Sequence, residues 1–493
     1  MRAVDDLEGL IRSHFGLILL ETVDEARAER LLRQLADKHG MPFFVWLEHQ
    51  GLARIDTDGS PILGTSDPLQ CLAYIEDVDA PYVFFLRGIQ RHFSQATVIA
   101  RLKEIARLYE AHQGAVIMVA PTDEGPADLQ ALWTSLPLRG PTQEEYHQYV
   151  QALLRDLNER QRIRVDLSGA QVANLLSHIQ GMSLPEVRKI ITQSVVFDGV
   201  LDGEDLQNVL AAKRRIVDQS GVLEYFPCDY GLVDIAGLSY LKGWLQKRKA
   251  AFQNPAEARD FGLTPPKGLL LLGVQGCGKS LCAKAVAKEW GLPLVRLDPA
   301  GLYQKYIGES EKNFQAAVRL AEQLAPIVLW IDEIEKAFGQ DDQDSGTTGR
   351  VFATFLSWLQ EKEESVFVVA TANDISKLPP ELLRKGRFDE IFFVDLPNEA
   401  TRASIFEIHL KKRNRASENL DLIALAKATE GFSGAEIEQV VISALYTSFG
   451  TKLPCDEELL LAEARATRPL SVTMSEKIQS LRHWAKDRAV PAN

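Results

Sequence analysis

Short apolar segments alternate along this chain with amphipathic helical segments. Residues 17–20 (LILL) form the first apolar segment, and a helical pattern follows over residues 26–38. An uninterrupted apolar run of this length is typical of a parallel strand that is buried on both faces. A phosphate-binding loop would stand between such a strand and its helix, but residues 21–25 (ETVDE) contain neither glycine nor lysine. The pattern therefore predicts an α/β domain without a phosphate site at its first strand.

The same pattern recurs in the second half of the chain. The segment GLILLETVDE (16–25) aligns with GLLLLGVQGCGKS (268–280), and four further pairs follow in the same order at a nearly constant separation. These pairs are ADKHGMP (36–42) with AKEWGLP (287–293), PYVFFLRG (81–88) with PIVLWIDE (326–333), AVIMVAPT (115–122) with VFVVATAN (366–373), and GMSLPEVRKIITQSV (181–195) with GFSGAEIEQVVISAL (431–445). Any two α/β domains share apolar strands and helices, and that alternative stays open here. We interpret the repeat as a tandem duplication of one α/β module, each copy a parallel sheet with flanking helices and a helical lid.

The second copy contains a phosphate-loop pattern, G-x-x-x-x-G-K-S, at residues 273–280. Its glycines let backbone N–H groups close around phosphates, and the helix that begins after the loop directs its positive dipole end to the anion. Lys279 is predicted to bridge the β- and γ-phosphates of a bound nucleotide, and Ser280 to bind Mg²⁺. The residues predicted to contact the nucleotide here are Gly273, Val274, Gln275, Gly276, Cys277, Gly278, Lys279, Ser280 and Leu281.

Two further apolar runs of the second copy end in polar residues. Residues 327–331 precede Asp332 and Glu333, and residues 366–370 lead to Asn373. The carboxyl ends of parallel strands are where ligands bind in such sheets. We predict that Asp332 holds Mg²⁺ through water, that Glu333 deprotonates the attacking water, and that Asn373 hydrogen-bonds this water and the γ-phosphate. An acidic strand end that only meets solvent is the alternative, which the preceding phosphate loop disfavours.

The first copy lacks these chemical groups. A cation in place of a magnesium-binding carboxylate would repel the metal ion, so this copy is predicted to have kept its strands and lost its site. No lysine corresponds to Lys279, and the other aligned positions are Glu21 for Gly273, Arg87 and Gly88 for Asp332 and Glu333, and Thr122 for Asn373.

Composition and charge exclude several classes of protein. The net charge is −13; residues 1–200 carry 19 basic and 27 acidic residues, and the remainder carries 36 and 41. This balance disfavours an extensive nucleic-acid-binding face. No apolar run is long enough to span a bilayer, and the N-terminus (MRAVDDLEGL) lacks the positive charge of a signal peptide. The five cysteines show no metal-ligand or disulfide spacing, which fits a reduced cytoplasm: Cys71, Cys228, Cys277, Cys282 and Cys455.

Taken together, the motifs resemble those of the AAA family of ring ATPases. Over residues 230–452 the matching segments are VDIAGL, the phosphate loop, KYIGESEKN, LWIDEIEKAFG, TAN and LLRKGRFD, in that order. The whole chain resembles the hypothetical-reading-frame (ycf-type) AAA ATPases of cyanobacteria and plastids and their bacterial relatives. The resemblance implies tandem AAA-type modules, the first degenerate and the second active. The expected divisions are 1–210 (lid-like helices about 142–210), a linker at 211–233, a core at 234–397, a lid at 398–452 and a helical segment at 453–493.

The resemblance also implies roles for residues outside the strand ends. Such domains assemble as hexamers with ATP between subunits, so Arg384 and Arg387 would be arginine fingers that reach the γ-phosphate of a neighbour. Tyr306 would be the pore-loop aromatic that grips a threaded polypeptide. The lid has Gly-Ala at residues 434–435, so no arginine is seen there that could contact the nucleotide of its own subunit. Residues 360–362 (QEK) replace the Asp-Gly-Phe of many relatives. Residues implied at the adenine are Ile235, Gly237, His409, Gly434 and Ala435.

The functional expectation is ATP hydrolysis, with ATP and Mg²⁺ as cofactors. A homo-hexameric ring would use it to remodel or thread a protein partner, in the cytoplasm, or in the plastid stroma if the chain is plastid-encoded. Two alternatives stay open: a nucleotide-gated binding or scaffold module that does little mechanical work, and a DNA-associated ATPase of the clamp-loader kind. The acidic charge of both halves disfavours the second, and no nucleic-acid partner is expected.

Overall fold

The structure is a computed structural model. It describes residues 2–493 apart from 23, 57–59, 79, 110–113, 122, 124, 139, 219–220, 229, 299–301, 303–308, 339–344, 385 and 416–419. The chain divides into two compact units, Met1–Val150 with Ser183–Lys189 and Gln151–Met182 with Ile190–Asn493. No helix among the described residues is both long enough and apolar enough to cross a membrane.

The first unit is built on a six-stranded sheet in the order β3-β2-β4-β5-β1-β6. Neighbouring strands are parallel, except that β3 runs antiparallel to β2. Leu17 and Leu19 contribute to one core layer, whereas Ile18 and Leu20 contribute to the other. Both faces are therefore covered, which explains why the first strand is continuously apolar. The strands are β1 Leu17–Glu21, β2 Phe43–Leu47, β3 Gly51–Arg54, β4 Val83–Leu86, β5 Ala115–Ala120 and β6 Thr134–Pro137.

Helices connect the strands of this unit and cover its sheet. Glu25–His39 follows β1 directly, begins at the N-cap Asp24 and ends at Gly40 in the left-handed conformation. The other helices are Arg2–Arg12, Pro68–Glu76, Ala96–Tyr109, Ala127–Gln130 and the 3-10 helix Ile89–His92. Two more helices, Gln143–Gln161 and Leu184–Asp198, lie partly in each unit.

The second unit is built on a seven-stranded sheet in the order β15-β14-β10-β13-β12-β11-β9. Neighbouring strands are parallel, except that β9 runs antiparallel to β11. A separate two-stranded sheet pairs β7 with β8. The strands are β7 Arg164–Val165, β8 Val200–Leu201, β9 Leu223–Phe226, β10 Gly268–Gly273, β11 Leu294–Leu297, β12 Ile327–Ile331, β13 Val366–Ala372, β14 Glu390–Val394 and β15 Val490–Pro491.

The central strands of the two sheets follow one topology. The order β2-β4-β5-β1-β6 in the first unit corresponds to β11-β12-β13-β10-β14 in the second. The residue two positions after β4 and the residue two positions after β12 are both left-handed, Gly88 with φ 81° and Glu333 with φ 49°. Both units are thus α/β folds with mainly parallel sheets, as the sequence repeat predicts.

Helices of the second unit flank the sheet and form the lid. The lid helices Glu399–Lys412, Leu422–Ala428, Gly434–Thr451 and Glu457–Ala466 share one apolar cluster. The other helices of this unit are Gly169–Ile179, Asp205–Asp218, Ser239–Gln253, Pro255–Asp260, Lys279–Trp290, Glu309–Gln323, Ile334–Phe338, Ser345–Glu361, Leu470–Thr473 and Ser475–Ala485, with the 3-10 helices Leu232–Asp234, Ile375–Lys377 and Pro380–Leu383.

Two segments contribute strands that the sequence does not predict. The expected linker 211–233 contains the end of helix Asp205–Asp218 and β9, which forms one edge of the second sheet. The expected helical segment 453–493 ends in β15, which pairs with β14 at the opposite edge. Both are short edge strands, so neither carries the continuous apolar pattern of a central strand.

Candidate active site

The phosphate loop begins where β10 lies close to β14. Gly273 has φ 144°, and a Cβ there would overlap the carbonyl oxygen of Val394. Gly276 has φ 80°, and its Cβ would stand 2.9 Å from Ser433 Oγ at the start of lid helix Gly434–Thr451. Only glycine fits these two positions, because a side chain would push the loop away from the sheet or the lid.

No side chain caps the first N–H groups of the helix that follows the loop. Its N-cap is Gly278 with φ 90°, and no side-chain hydrogen bond closes that end. Lys279 is buried, and its Nζ donates to the carbonyls of Gly273 at 3.0 Å and Val274 at 2.8 Å. Burial lowers the pKa of Lys279 to about 8. The loop thus presents backbone donors, a helix dipole and a partly desolvated ammonium to an anion.

Two hydroxyl groups converge on the carboxylate of Asp332. Ser280 Oγ donates to Asp332 Oδ1 at 2.9 Å, and Thr371 Oγ1 donates to the same oxygen at 2.6 Å. Thr371 also accepts the backbone N–H of Glu333 at 3.0 Å. This threonine, which sequence reasoning missed, therefore ties the ends of β12 and β13 together beside the phosphate loop.

Glu333 and Asn373 are in direct contact. Asn373 Nδ2 donates to Glu333 Oε1 at 2.8 Å, and Lys336 forms an ion pair with Glu333 Oε2. Glu335, a buried carboxylate that sequence reasoning also missed, accepts the backbone N–H of Asn373 at 2.8 Å. Burial raises the pKa of Glu335. The amide of Asn373 is thus fixed through its backbone and bound to Glu333 through its side chain.

One cavity of about 320 Å³ brings most of the predicted residues together. Asp332, Glu333 and Asn373 line it beside loop residues 275–281. Gly273 and Val274 do not line the cavity. Their carbonyl oxygens accept hydrogen bonds from the ammonium of Lys279. The other predicted residues that line it are Ile235, His409, Gly434 and Ala435, together with the unpredicted Asp234, Ala236, Leu238, Thr371, Val394, Asp395, Pro397, Thr401, Ile405, Ile408, Glu438 and Asn493.

The lid and the start of the core form the remaining walls. Ala435 N–H donates to Gly276 O at 3.0 Å, which attaches the lid to the phosphate loop. His409 Nδ1 lies 3.4 Å from Glu438 Oε1, and burial lowers the pKa of His409. Gly237 lies beside the cavity, where a Cβ would meet Asn493 and Thr401. These walls are mostly apolar, as a nucleotide base requires.

The two predicted arginines do not line this cavity. Arg384 is exposed, and Arg387 is half-buried with Nη1 donating to the carbonyl of Glu381. Tyr306 lies outside the described residues.

Family models match four parts of the chain. Residues 3–138 match the SpoVK-like AAA ATPase N-terminal domain, and residues 144–220 match the second domain of the same group. Residues 269–396 match the ATPase family associated with various cellular activities (AAA), and residues 419–453 match the AAA+ lid domain.

Similar proteins extend over nearly the whole chain. It is 36% identical to "Uncharacterized AAA domain-containing protein ycf46" of Pyropia yezoensis, over 99% of this chain and 98% of the relative. The protein of that name in Trieres chinensis is 35% identical over 98% and 97%. The proteasome-activating nucleotidase of Saccharolobus solfataricus is 33% identical over 60% of this chain and 76% of its own length. The chain therefore belongs to the AAA ATPase family, with SpoVK-like first and second domains before its AAA domain and lid.

Proposed function

We propose that the AAA domain of this chain binds ATP with Mg²⁺ and hydrolyses it. The observation that carries the proposal is the hydrogen-bonded set Ser280, Asp332, Glu333 and Asn373 beside the phosphate loop, in a cavity whose other walls are mostly apolar. A triphosphate would bind the loop N–H groups and Lys279, and the base would lie near Ile235 and the lid.

The residues present fit a magnesium ion bound together with a nucleotide. Ser280 and Thr371 share Oδ1 of Asp332, whereas Oδ2 has no hydrogen-bond partner among the described residues. No described group of three or more His, Cys, Asp or Glu could hold a metal by itself. Mg²⁺ takes one or two protein oxygens and completes its octahedron with water and phosphate oxygens. When bound, the ion would neutralise charge on the β- and γ-phosphates.

Glu333 is the proposed general base. Its carboxylate is held by Asn373 and Lys336. A γ-phosphate at the end of the loop would compete for the amide of Asn373, which would leave Glu333 Oε1 available to accept a proton from water. In this proposal Asn373 couples the presence of the γ-phosphate to the availability of the base.

We further propose that the first unit binds no nucleotide. Arg87, at the position of Asp332, forms ion pairs with Glu25 at 2.9 Å and Glu29 at 3.2 Å. Glu25 is the first residue of helix Glu25–His39, so a carboxylate stands where a phosphate would need the helix N-terminus. Glu21 accepts a hydrogen bond from Ser135 at 2.8 Å in place of the first loop glycine. These acidic groups would repel a triphosphate.

We also propose a homo-hexameric ring that acts on a protein partner. Support for a protein partner comes from the 33% identical relative, which is named as a proteasome-activating nucleotidase. The exposed Arg384 and the half-buried Arg387, which do not line the cavity of their own subunit, agree with arginine fingers that act on a neighbour. The first unit would then be a docking or ring-stabilising module.

Titration calorimetry with Mg²⁺ and ATP tests the binding proposal. The full chain is expected to bind one ATP per chain, and Lys279→Ala is expected to abolish the binding. Lys288→Ala, a change in the last turn of the same helix, is the matched control and should bind as the wild type does. Two sites per chain, or one that survives Lys279→Ala, would contradict the assignment.

A further inference from the structure

The last residues of the chain return to the AAA sheet beside the cavity. β15 pairs with Phe392 and Phe393 of β14, and the N–H of Ala492 donates to the carbonyl of Phe393 at 3.0 Å. The carbonyl of Ala492 accepts the N–H of Leu241 at 3.1 Å. Ala492 is 1% exposed. The backbone next to Asn493 is thus held by hydrogen bonds to two separate parts of the core.

The preceding helix fixes the same segment. Arg482 Nε lies 3.0 Å and 2.9 Å from the two carboxylate oxygens of Asp395, which lines the cavity just after β14. Lys477 forms an ion pair with Asp374 at 3.0 Å, next to Asn373. Ile478 and Leu481 are buried on the same helix. These contacts set the position from which the chain reaches Asn493.

Asn493 itself lines the cavity, in a part of the wall that contains no phosphate-loop residues. Its Oδ1 accepts the N–H of Leu238, and a Cβ at Gly237 would approach Oδ1 to 2.9 Å. Ile235 and Leu238 line the cavity beside it. An uncharged amide among apolar side chains and backbone suits a nucleobase and contributes little to a triphosphate.

The hydrogen bond from Leu238 determines which amide atom is available. A backbone N–H can only donate, so the atom that faces it must be the amide oxygen. Nδ2 and its two hydrogens then point away from Leu238, and Nδ2 has no hydrogen-bond partner among the described residues. Purines offer ring nitrogens as acceptors, and asparagine amides pair well with adenine edges.

We propose that Asn493 contacts the nucleobase and that its Nδ2 donates to a ring nitrogen of adenine. The inference rests on the proposed function, because it requires ATP in this cavity. Residues 475–492 position this side chain, so the C-terminal segment contributes directly to nucleotide recognition.

Calorimetry with two probes tests the proposal. Magnesium ATP contains base and phosphates, whereas magnesium tripolyphosphate contains the phosphates alone. Asn493→Ala removes both amide functions. Asn493→Asp keeps an oxygen that can accept from Leu238 and removes the donor. Both variants are expected to bind ATP roughly fivefold more weakly than the wild type and to bind tripolyphosphate unchanged. Lys486→Ala, in the same segment and away from the cavity, is the control and should match the wild type with both probes.

Three other results would overturn this role. Wild-type ATP affinity in Asn493→Ala and Asn493→Asp would mean that no base contact exists. Loss in Asn493→Ala with full recovery in Asn493→Asp would mean that the residue only holds Leu238. An equal loss for both probes would mean a general effect on the site. Failure of the proposed function is distinguishable, because then the wild type would bind neither probe in a Lys279-dependent manner.

Discussion

At the scale of single residues, the proposed role of Lys279 would link nucleotide binding to protonation. Burial lowers its pKa to about 8, whereas a bound triphosphate would favour the charged ammonium and raise the pKa again. The nucleotide-free protein therefore loses this proton as the pH rises through about 8, and binding must restore it.

We expect the affinity for magnesium ATP to fall between pH 7.5 and 9.5. The fall should approach at most about tenfold per pH unit above the pKa, since one proton is taken up. Calorimetry in buffers of different ionisation enthalpy would detect that proton. Lys279→Arg stays protonated throughout and should show a flat profile, although at lower affinity. A flat profile in the wild type would contradict the pKa argument.

A second residue-scale prediction concerns Thr371, whose hydroxyl joins Asp332 to the backbone of Glu333. Thr371→Val keeps the shape and removes the hydroxyl, so both groups lose their common partner. Steady-state turnover is expected to drop roughly 10- to 100-fold, as is typical when a group that orients a metal ligand is removed. Thr371→Ser should restore most of the activity. A valine variant as active as the wild type would mean that Thr371 does not position the carboxylates.

The candidate site could be predicted from sequence where polar residues follow the apolar strands. Asp332, Glu333 and Asn373 follow apolar runs, so their location at one edge of a parallel sheet could be inferred from sequence alone. Thr371 lies inside β13, a strand of seven buried residues, and resembles a packing residue there, although the TAN segment contains it. Asn493 is distant in sequence from every motif, and only the pairing of β15 with β14 brings it to the cavity.

At the scale of elements, the contact between β10 and β14 decides where the phosphate loop begins. The two strands can approach this closely only with glycine at position 273, because its φ of 144° and the nearby carbonyl of Val394 leave no room for a side chain. The equivalent position in the first unit is Glu21, which instead hydrogen-bonds Ser135 in β6. The two matched strands therefore end differently, and only β10 continues into the phosphate-loop pattern.

Gly273→Ala is expected to destabilise the protein by at least about 3 kcal/mol, because backbone strain adds to overpacking between two central strands. Gly349→Ala is the matched control. It adds a methyl group within helix Ser345–Glu361, where the new Cβ meets no atom within 4 Å, and should be neutral or slightly stabilising. Urea denaturation measures both. Equal stability of the two variants would contradict the steric argument.

Sequence reasoning succeeded for central strands and failed at the edges of the sheets. β1, β5, β10 and β13 are continuous apolar runs, because helices cover both sides of the sheet. β9 and β15 have at most four residues and pair on one side only, so no periodicity distinguishes them from loops.

At the scale of the whole molecule, the proposed activity depends on a neighbouring subunit. Arg384 and Arg387 do not line the cavity of their own chain, so in the proposal each site takes its arginine from the next subunit. Arginine suits this role because it stays protonated and its planar donors match a transferring phosphoryl group.

Mixing two inactive variants tests the shared site. Arg387→Ala should bind ATP and hydrolyse it about 10³-fold more slowly, as is typical for loss of an arginine finger. Lys279→Ala should not bind ATP. A mixture should regain turnover, because an intact phosphate loop then meets an intact arginine. Size-exclusion chromatography of differently tagged chains checks subunit exchange first. Mixtures that exchange subunits and stay inactive would refute the shared site.

We propose above all that Asp332 and Glu333 enable water to hydrolyse ATP bound at the phosphate loop, and the Glu333→Gln variant is the sharpest test of this proposal. Calorimetry and phosphate release are measured on the same preparation, with Glu361→Gln, an exposed glutamate of helix Ser345–Glu361, as the matched control. We expect wild-type ATP affinity in both variants and turnover reduced at least about 10²-fold in Glu333→Gln alone. Near-normal turnover in Glu333→Gln would contradict the proposed hydrolysis site, and so would a wild-type protein that binds ATP without hydrolysing it, as a nucleotide-gated scaffold would.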